Sequence, residues 1–297
     1  GESTTYNGED TLRQVGKRIL FATDWKVEAG QIHGDPVLEQ YNLAREARPK
    51  WARAYFSTAK YFDLMLVSRR EVHASEDDIT VHDLAKKTLH FYTESLKFGS
   101  KFLFQSMPRL LTLWFEFSQL KGTNSSLSSS TSRSARALSA THRASTPLAD
   151  FQSTLNKTVN GALRSVPSHM WYTSIQQFIS RVGHSESDVV EIVINALVLI
   201  ATEHSRESVW SVAQLFSSQN EVRRKAGQQV LTRTTANLNE RGRKKESQAF
   251  GNSRVLFQDL IKHAQFQTNE KTCRLKFTRN IEFKDYVVPN RETLTVT

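Results

Sequence analysis

The sequence predicts an all-α fold: a solenoid of paired helices with a short β segment at its C-terminal end. Three observations predict it. Apolar residues recur at three- and four-residue spacing through most of the 297 residues. Gly and Pro are scarce, 12 and 6, fewer than a strand-and-turn chain of this length needs. The prolines that occur punctuate the periodic stretches, as at Asp35-Pro36 and Arg48-Pro49.

The elements follow in order. Glu9 to Ala29 is the first helix, with Leu12, Val15, Ile19 and Ala22 along one side. Asp35-Pro36 starts the second, with Asp as N-cap and Pro in the first position; it runs to Arg48, where Pro49 stops it. Trp51 to Val67 is the third. Its large residues, Trp51, Tyr55, Phe56, Tyr61 and Phe62 among them, cover more than one face, and small Ala52, Ala54 and Ala59 let neighbours approach. Asp77-Asp78 caps the fourth, Val81 to Phe98, and Gly99 closes it. Four helices with short polar turns make two helical hairpins. The Trp, Ala and Tyr spacing, with Pro between units, is that of degenerate tetratricopeptide-like repeats.

Ser106 to Phe117 is the most distinctive stretch. Ser106 is placed to N-cap and Pro108 to fit the first turn, before Leu110, Leu111, Leu113, Trp114, Phe115 and Phe117. A helix apolar on nearly all sides is a buried one. Gln105 and Arg109 are the polar groups beside it, suited to packing or interface contacts. Residues 123–146 then hold nine Ser and four Thr with no acid and no aromatic. Such a composition buries too little to offset its ordering entropy and predicts a disordered insertion.

Helices resume near Pro147. Met170 to Val182 is amphipathic, and Ser185-Glu186-Ser187-Asp188 has the form of a capping box. Val189 to Ala201 is rich in Val and Ile, yet its length and its cap favour a buried helix over a strand. Ser208 to Phe216, Val222 to Leu238 and Val255 to Phe266 complete a second, HEAT-like helical group. Leu275 to Thr278 and Phe283 to Pro289 alternate like strands. The expected division is therefore 1–122, 123–146, 147–270 and 271–297.

Composition excludes several classes of function. Cys273 is the single cysteine, so no internal disulfide framework exists and a reducing compartment fits. The longest apolar run, Val189 to Ala201, is too short and polar to span a bilayer, and no secretion leader opens the chain. No membrane association is expected, and a start without Met reads as a piece of a longer protein. The net charge of +10 is uneven. Residues 1–120 carry 16 basic and 16 acidic side chains, whereas 121–146 contributes +4 and 223–245 contributes +7. No aromatic is interleaved with either basic cluster, so direct nucleic-acid binding is not expected. Neither a P-loop nor a Rossmann glycine pattern occurs, and Gly99-Ser100-Lys101 lacks the upstream glycines. His82 and His90 lie too far apart on one helix to share an ion, and no cysteine pair supports a metal. No catalytic, cofactor-binding or metal-ligating residue is assigned.

Two stretches carry a family resemblance. Pro49-Lys50-Trp51-Ala52-Arg53-Ala54-Tyr55-Phe56-Ser57-Thr58-Ala59-Lys60-Tyr61-Phe62-Asp63 resembles a repeat helix of the FAT region of phosphatidylinositol-3-kinase-related protein kinases. Gln105-Ser106-Met107-Pro108-Arg109-Leu110-Leu111-Thr112-Leu113-Trp114 resembles the Q-S-x-P-R-x-L-T-L-W helix of that region and points to the ATR-type checkpoint kinases. Ile179 to His184 is similar to their next helix, and Asp285 to Pro289 to the strand leading into the kinase N-lobe. The resemblance spans roughly 10–120 and 165–297; the Ser-rich stretch and the basic run 241–245 depart from it. Its motif residues here are Trp51, Tyr55, Tyr61, Asp63, Gln105, Ser106, Pro108, Arg109 and Trp114.

The resemblance implies a large nuclear Ser/Thr kinase that answers DNA damage and stalled replication, with helices that brace its kinase domain. It implies ATP and Mg only in that kinase domain, whose catalytic residues lie beyond Thr297. The implied partners are the kinase domain itself, an obligate checkpoint subunit and a second copy. A free-standing helical-repeat adaptor is the alternative that the residues alone leave open.

Overall fold

The computed structural model describes residues 8–72, 78–120, 147–216 and 218–266, and among these every regular element is a helix. The chain divides into two compact units, 1–166 and 167–297. The Ser-rich insertion and the strand-like stretches 275–278 and 283–289 lie outside the described residues.

The first unit holds α1 (Gly8–Glu28), α2 (Asp35–Ala47), α3 (Ala52–Val72), α4 (Ile79–Phe98), α5 (Leu103–Ser118) and α6 (Pro147–Ser165). α1 pairs with α2 and α3 with α4, as the two hairpins expected, and α5 and α6 pack onto α4. Leu20, Val37, Tyr41, Ala44, Ala54 and Tyr61 form one buried cluster among the first three helices. Gly16 permits the α1–α2 approach, since a Cβ there would stand 3.0 Å from the Cβ of Ala47. α5 is buried as its composition requires: Met107, Leu110, Leu111, Leu113 and Trp114 have no exposed surface. Burial of each such side chain contributes about 1.5–3 kcal/mol.

The second unit holds α7 (Ser168–Tyr172), α8 (Ile175–Ser180), α9 (Ser187–Glu203), α10 (Ser205–Phe216), α11 (Glu221–Glu240) and α12 (Lys244–Ala264). α9 is its centre, packed by α7, α8, α10 and α11. Val193, Ala196, Leu197, Ile200 and Ala201 are fully enclosed, so the Val/Ile-rich run is a buried helix and not a strand. Gly227 sits where α11 crosses α10. A Cβ there would meet Leu215 Cβ at 2.8 Å and the Leu215 backbone at 3.1 Å. Gly227→Ala is expected to destabilise the chain by about 1–3 kcal/mol despite its better helix propensity, read as a lower urea midpoint.

Several local expectations are corrected. Asp35 is the first residue of α2 and not its cap; Gly34, at φ 69°, is the cap, and its N–H donates to Tyr61 Oη at 2.6 Å. Gly99 ends α4 in an extended conformation rather than a left-handed one. Ser106 does not cap α5, because the helix opens at Leu103 behind Phe102. Pro108 therefore lies inside the helix, where it withholds an N–H from the Phe104 carbonyl. Phe104 is 80% exposed, so that carbonyl falls on the open side. The 170–182 stretch is two short helices: the N–H of Ser174 turns back to Trp171 and the Thr173 hydroxyl to Met170.

Residues 185–188 form no capping box; Glu186 holds the cap position, and its N–H donates to His184 Nδ1. α12 begins at Lys244 and not Val255, since Ser247, Phe250 and Ser253 face inward without making an apolar stripe. Helix α6, expected with the later group, belongs to the first unit, where Phe151 stacks on His82 at 4.0 Å.

Candidate functional site

The residues that carry the resemblance converge on an interhelical clamp. Asp63 lies three turns into α3, with its side chain 15% exposed. It accepts Arg109 Nε at 2.8 Å and Nη2 at 2.7 Å from α5, and Tyr92 Oη at 3.2 Å from α4. One carboxylate thus ties three helices. The hydrogen bonds from Arg109 are two-pronged, the geometry in which a guanidinium gains most from a carboxylate. That pairing holds the Arg109 guanidinium protonated more firmly than usual, while burial and then Asp63 push the Tyr92 hydroxyl above its ordinary value.

The same arrangement stands one hairpin earlier. Asp24 of α1 accepts Tyr41 Oη of α2 at 2.9 Å and Ser57 Oγ of α3 at 3.1 Å, and it pairs with Arg53 of α3 at 3.5 Å. Burial, followed by Asp24, raises the Tyr41 hydroxyl in the same sense. In both places a carboxylate on a hairpin's first helix takes a tyrosine from its second helix and an arginine from the next hairpin. Successive hairpins are stapled in series.

Trp114 extends the clamp to α6. Its ring has no exposed surface, and its Nε1–H donates to Asn156 Oδ1 at 2.8 Å. Tyr61 Oη fixes the turn before α2 at Gly34, and its ring meets Tyr41 edge-on at 6.1 Å. Tyr55 Oη donates to the Pro49 carbonyl at 2.9 Å, tying the start of α3 to the turn before it. Trp51 is half-buried, with the Arg48 guanidinium 5.0 Å over its ring.

The remaining motif residues lie apart from the clamp. Gln105 is exposed. Ser106 is buried with no hydrogen-bond partner for its hydroxyl among the described residues, and Pro108 shapes the helix as described.

Sequence reasoning missed Asp24, Tyr41, Arg53, Tyr92 and Asn156. One signal could have found the first four: the order Asp, Tyr, Arg recurs on successive helices as Asp24, Tyr41, Arg53 and then Asp63, Tyr92, Arg109. The basic residues of 223–245 are mostly matched internally. Arg233 pairs with Glu191 at 2.7 Å, Arg241 with Glu203 at 2.5 Å, and Arg243 with Glu246 and the Thr202 carbonyl.

Among the described residues no group of three or more His, Cys, Asp or Glu could hold a metal, and no helix is long and apolar enough to cross a membrane.

Two protein families match the chain. The FAT domain matches residues 3–112, and the HEAT repeats described as Serine/threonine-protein kinase ATR-like match residues 154–256. Among curated relatives, the chain is 26% identical over 249 residues to the Serine/threonine-protein kinase ATR of Arabidopsis thaliana, covering 78% of this chain and 9% of that protein. It is 21% identical to the Serine/threonine-protein kinase MEC1 of Candida glabrata, over 96% of this chain and 11% of that one. It is 21% identical to the Protein kinase rad3 of Schizosaccharomyces pombe, over all of this chain and 12% of that one. The chain therefore spans about a tenth of the length of these relatives. Both stretches that carry the resemblance, Pro49 to Asp63 and Gln105 to Trp114, begin inside the FAT match and meet in the Asp63–Arg109 clamp. The FAT match, the ATR-like HEAT match and these relatives together support a FAT-region fragment of an ATR-type phosphatidylinositol-3-kinase-related protein kinase.

Proposed function

We propose that this chain is a non-catalytic helical scaffold of a large ATR-like Ser/Thr protein kinase, acting in the nucleus in DNA-damage and replication-stress checkpoint signalling. Its hairpins stack as a solenoid of tetratricopeptide-like and then HEAT-like repeats, and that solenoid braces the kinase domain. The observation that carries this reading is the repeated staple: Asp24 and Asp63 each bind one hairpin to the next through a tyrosine and an arginine. Fixed polar contacts between successive repeats resist bending, which is what a brace needs and a flexible linker lacks. The kinase domain, a checkpoint subunit and a second copy of the chain are its proposed partners.

ATP and Mg are assigned to the kinase domain of the parent protein. The Gly99–Lys101 turn borders a groove lined by five cations with no carboxylate in its wall to hold a divalent ion. Calorimetric titration of ATP and Mg into the chain is expected to show no saturable heat, and incubation with generic Ser/Thr peptides no phosphate transfer. Saturable ATP binding would contradict the non-catalytic assignment.

A further inference from the structure

We propose that the groove between α1 and the turns that open α3 and α5 is a docking site for an acidic peptide segment of a partner protein. Lys17, Arg48, Lys50, Arg53 and Lys101 line this groove of about 600 Å³, and no Asp or Glu lies in its wall. Composition does not account for it, since residues 1–120 carry 16 basic and 16 acidic side chains. The charge is segregated locally.

Elsewhere in the unit several arginines meet carboxylates: Arg69 with Asp78, Arg70 with Glu116, Arg109 with Asp63. In the groove, Arg53 alone reaches a carboxylate, Asp24 at 3.5 Å, and its buried Nε has no hydrogen-bond partner. Lys17, Arg48, Lys50 and Lys101 have no ion pair among the described residues.

Rings hold three of the five cations. The Arg48 guanidinium carbon lies 5.0 Å from the centre of Trp51, that of Arg53 lies 4.4 Å from Phe21, and Lys101 Nζ lies 5.8 Å from Phe102. A guanidinium resting on a ring keeps its N–H edge free, in the fork that takes a carboxylate two-pronged. The backbone N–H groups of Ser100, Lys101 and Phe102, at the positive end of α5, have no acceptor among the described hydrogen bonds.

This pattern selects its ligand. One phosphate brings at most about two negative charges, too few for five cations along a groove of this size. A nucleic acid needs bare ring faces on which to stack. Here a cation already sits on the rings of Trp51 (Arg48), Phe21 (Arg53) and Phe102 (Lys101), and Phe102 also stacks on Phe56 at 4.2 Å. A peptide rich in Asp and Glu supplies several oxyanions on one flexible chain and requires no ring.

Fluorescence anisotropy with a fluorescein-labelled Asp/Glu-rich peptide tests the proposal. The peptide should bind in a salt-dependent manner, and its Asn/Gln counterpart should not. Lys50→Glu with Lys101→Glu, both at exposed positions, should weaken binding at least about tenfold. Lys50→Gln with Lys101→Gln should weaken it by a smaller factor. Lys244→Glu with Lys245→Glu, the same charge change on exposed α12 residues, should leave binding unchanged. Equal loss in both charge-reversed proteins would reduce the effect to net charge and overturn the site. Equal binding of the Asn/Gln peptide would overturn it too. So would displacement of the acidic peptide by inorganic phosphate, or tighter Lys50/Lys101-dependent binding of a single-stranded oligonucleotide.

Discussion

Trp114→Ala is expected to cost about 3–5 kcal/mol, the usual cost of truncating a fully buried aromatic, and a large part of the about 5–15 kcal/mol that holds a domain folded. Trp114 is completely enclosed and faces α6, where its Nε1–H is bonded to Asn156. Its removal leaves a cavity beside Phe115 and an amide without its donor. Two losses therefore add. Trp114→Phe separates them, because it keeps most of the apolar volume and removes only the indole N–H. It should cost about 1–3 kcal/mol, the price of one unpaired buried group. Chemical denaturation of the chain measures both. A Trp114→Phe protein as unstable as Trp114→Ala would mean that the hydrogen bond, and not packing, secures α5 to α6.

The second large effect is expected at the clamp. Arg109→Ala leaves Asp63, 15% exposed, facing Tyr92 with no cation. Breaking a buried pair by removing one partner costs about 3–5 kcal/mol, and Arg109 at 31% exposure lowers that to about 2 kcal/mol. Asp63→Asn should cost less than Arg109→Ala, because the amide oxygen still accepts hydrogen bonds and the cation left without its partner, Arg109, is the more exposed of the pair at 31% against 15%. A double-mutant cycle between the two positions should return a coupling well above the about 0.2–1 kcal/mol of an exposed pair. Coupling within that exposed range would show that the clamp is decoration on a helix packing that stands without it.

Much of this architecture is legible in the residues, and the exceptions have physical causes. α5 and α9 could be read because a helix apolar on all sides has one solution, burial, whatever surrounds it. The caps could not. Ser106 and the 185–188 stretch carry the right chemistry for an N-cap, but Phe102 and Glu186 hold those positions because packing against neighbours sets where each helix opens. The unit boundary was hidden for a similar reason. A Ser-rich stretch looks like a division, yet His82 and Trp114 draw Phe151 and Asn156 of α6 back to the first unit.

Half of the clamp was visible. Asp63 and Arg109 stood inside recognisable motifs, whereas Asp24, Tyr41 and Tyr92 are single polar side chains whose meaning depends on partners 17 to 33 positions away. A lone Asp in a helix reads as a solvated face until the fold brings a tyrosine and an arginine to it. The strand expectation for 275–278 and 283–289 lies outside the described residues and stands as a reading of the alternation alone.

The role proposed for the stapled hairpins is to brace a kinase domain. Its most direct test is phosphotransfer by the full-length kinase carrying Arg109→Ala, with amide hydrogen exchange followed in α3, α4 and α5 of the same preparation. Faster exchange is expected in those three helices together with a parallel fall in kcat, and KM for ATP should be unchanged, as for a brace remote from the nucleotide. Faster exchange with undiminished kcat would contradict it, since the hairpins would then have loosened without the kinase domain losing any support.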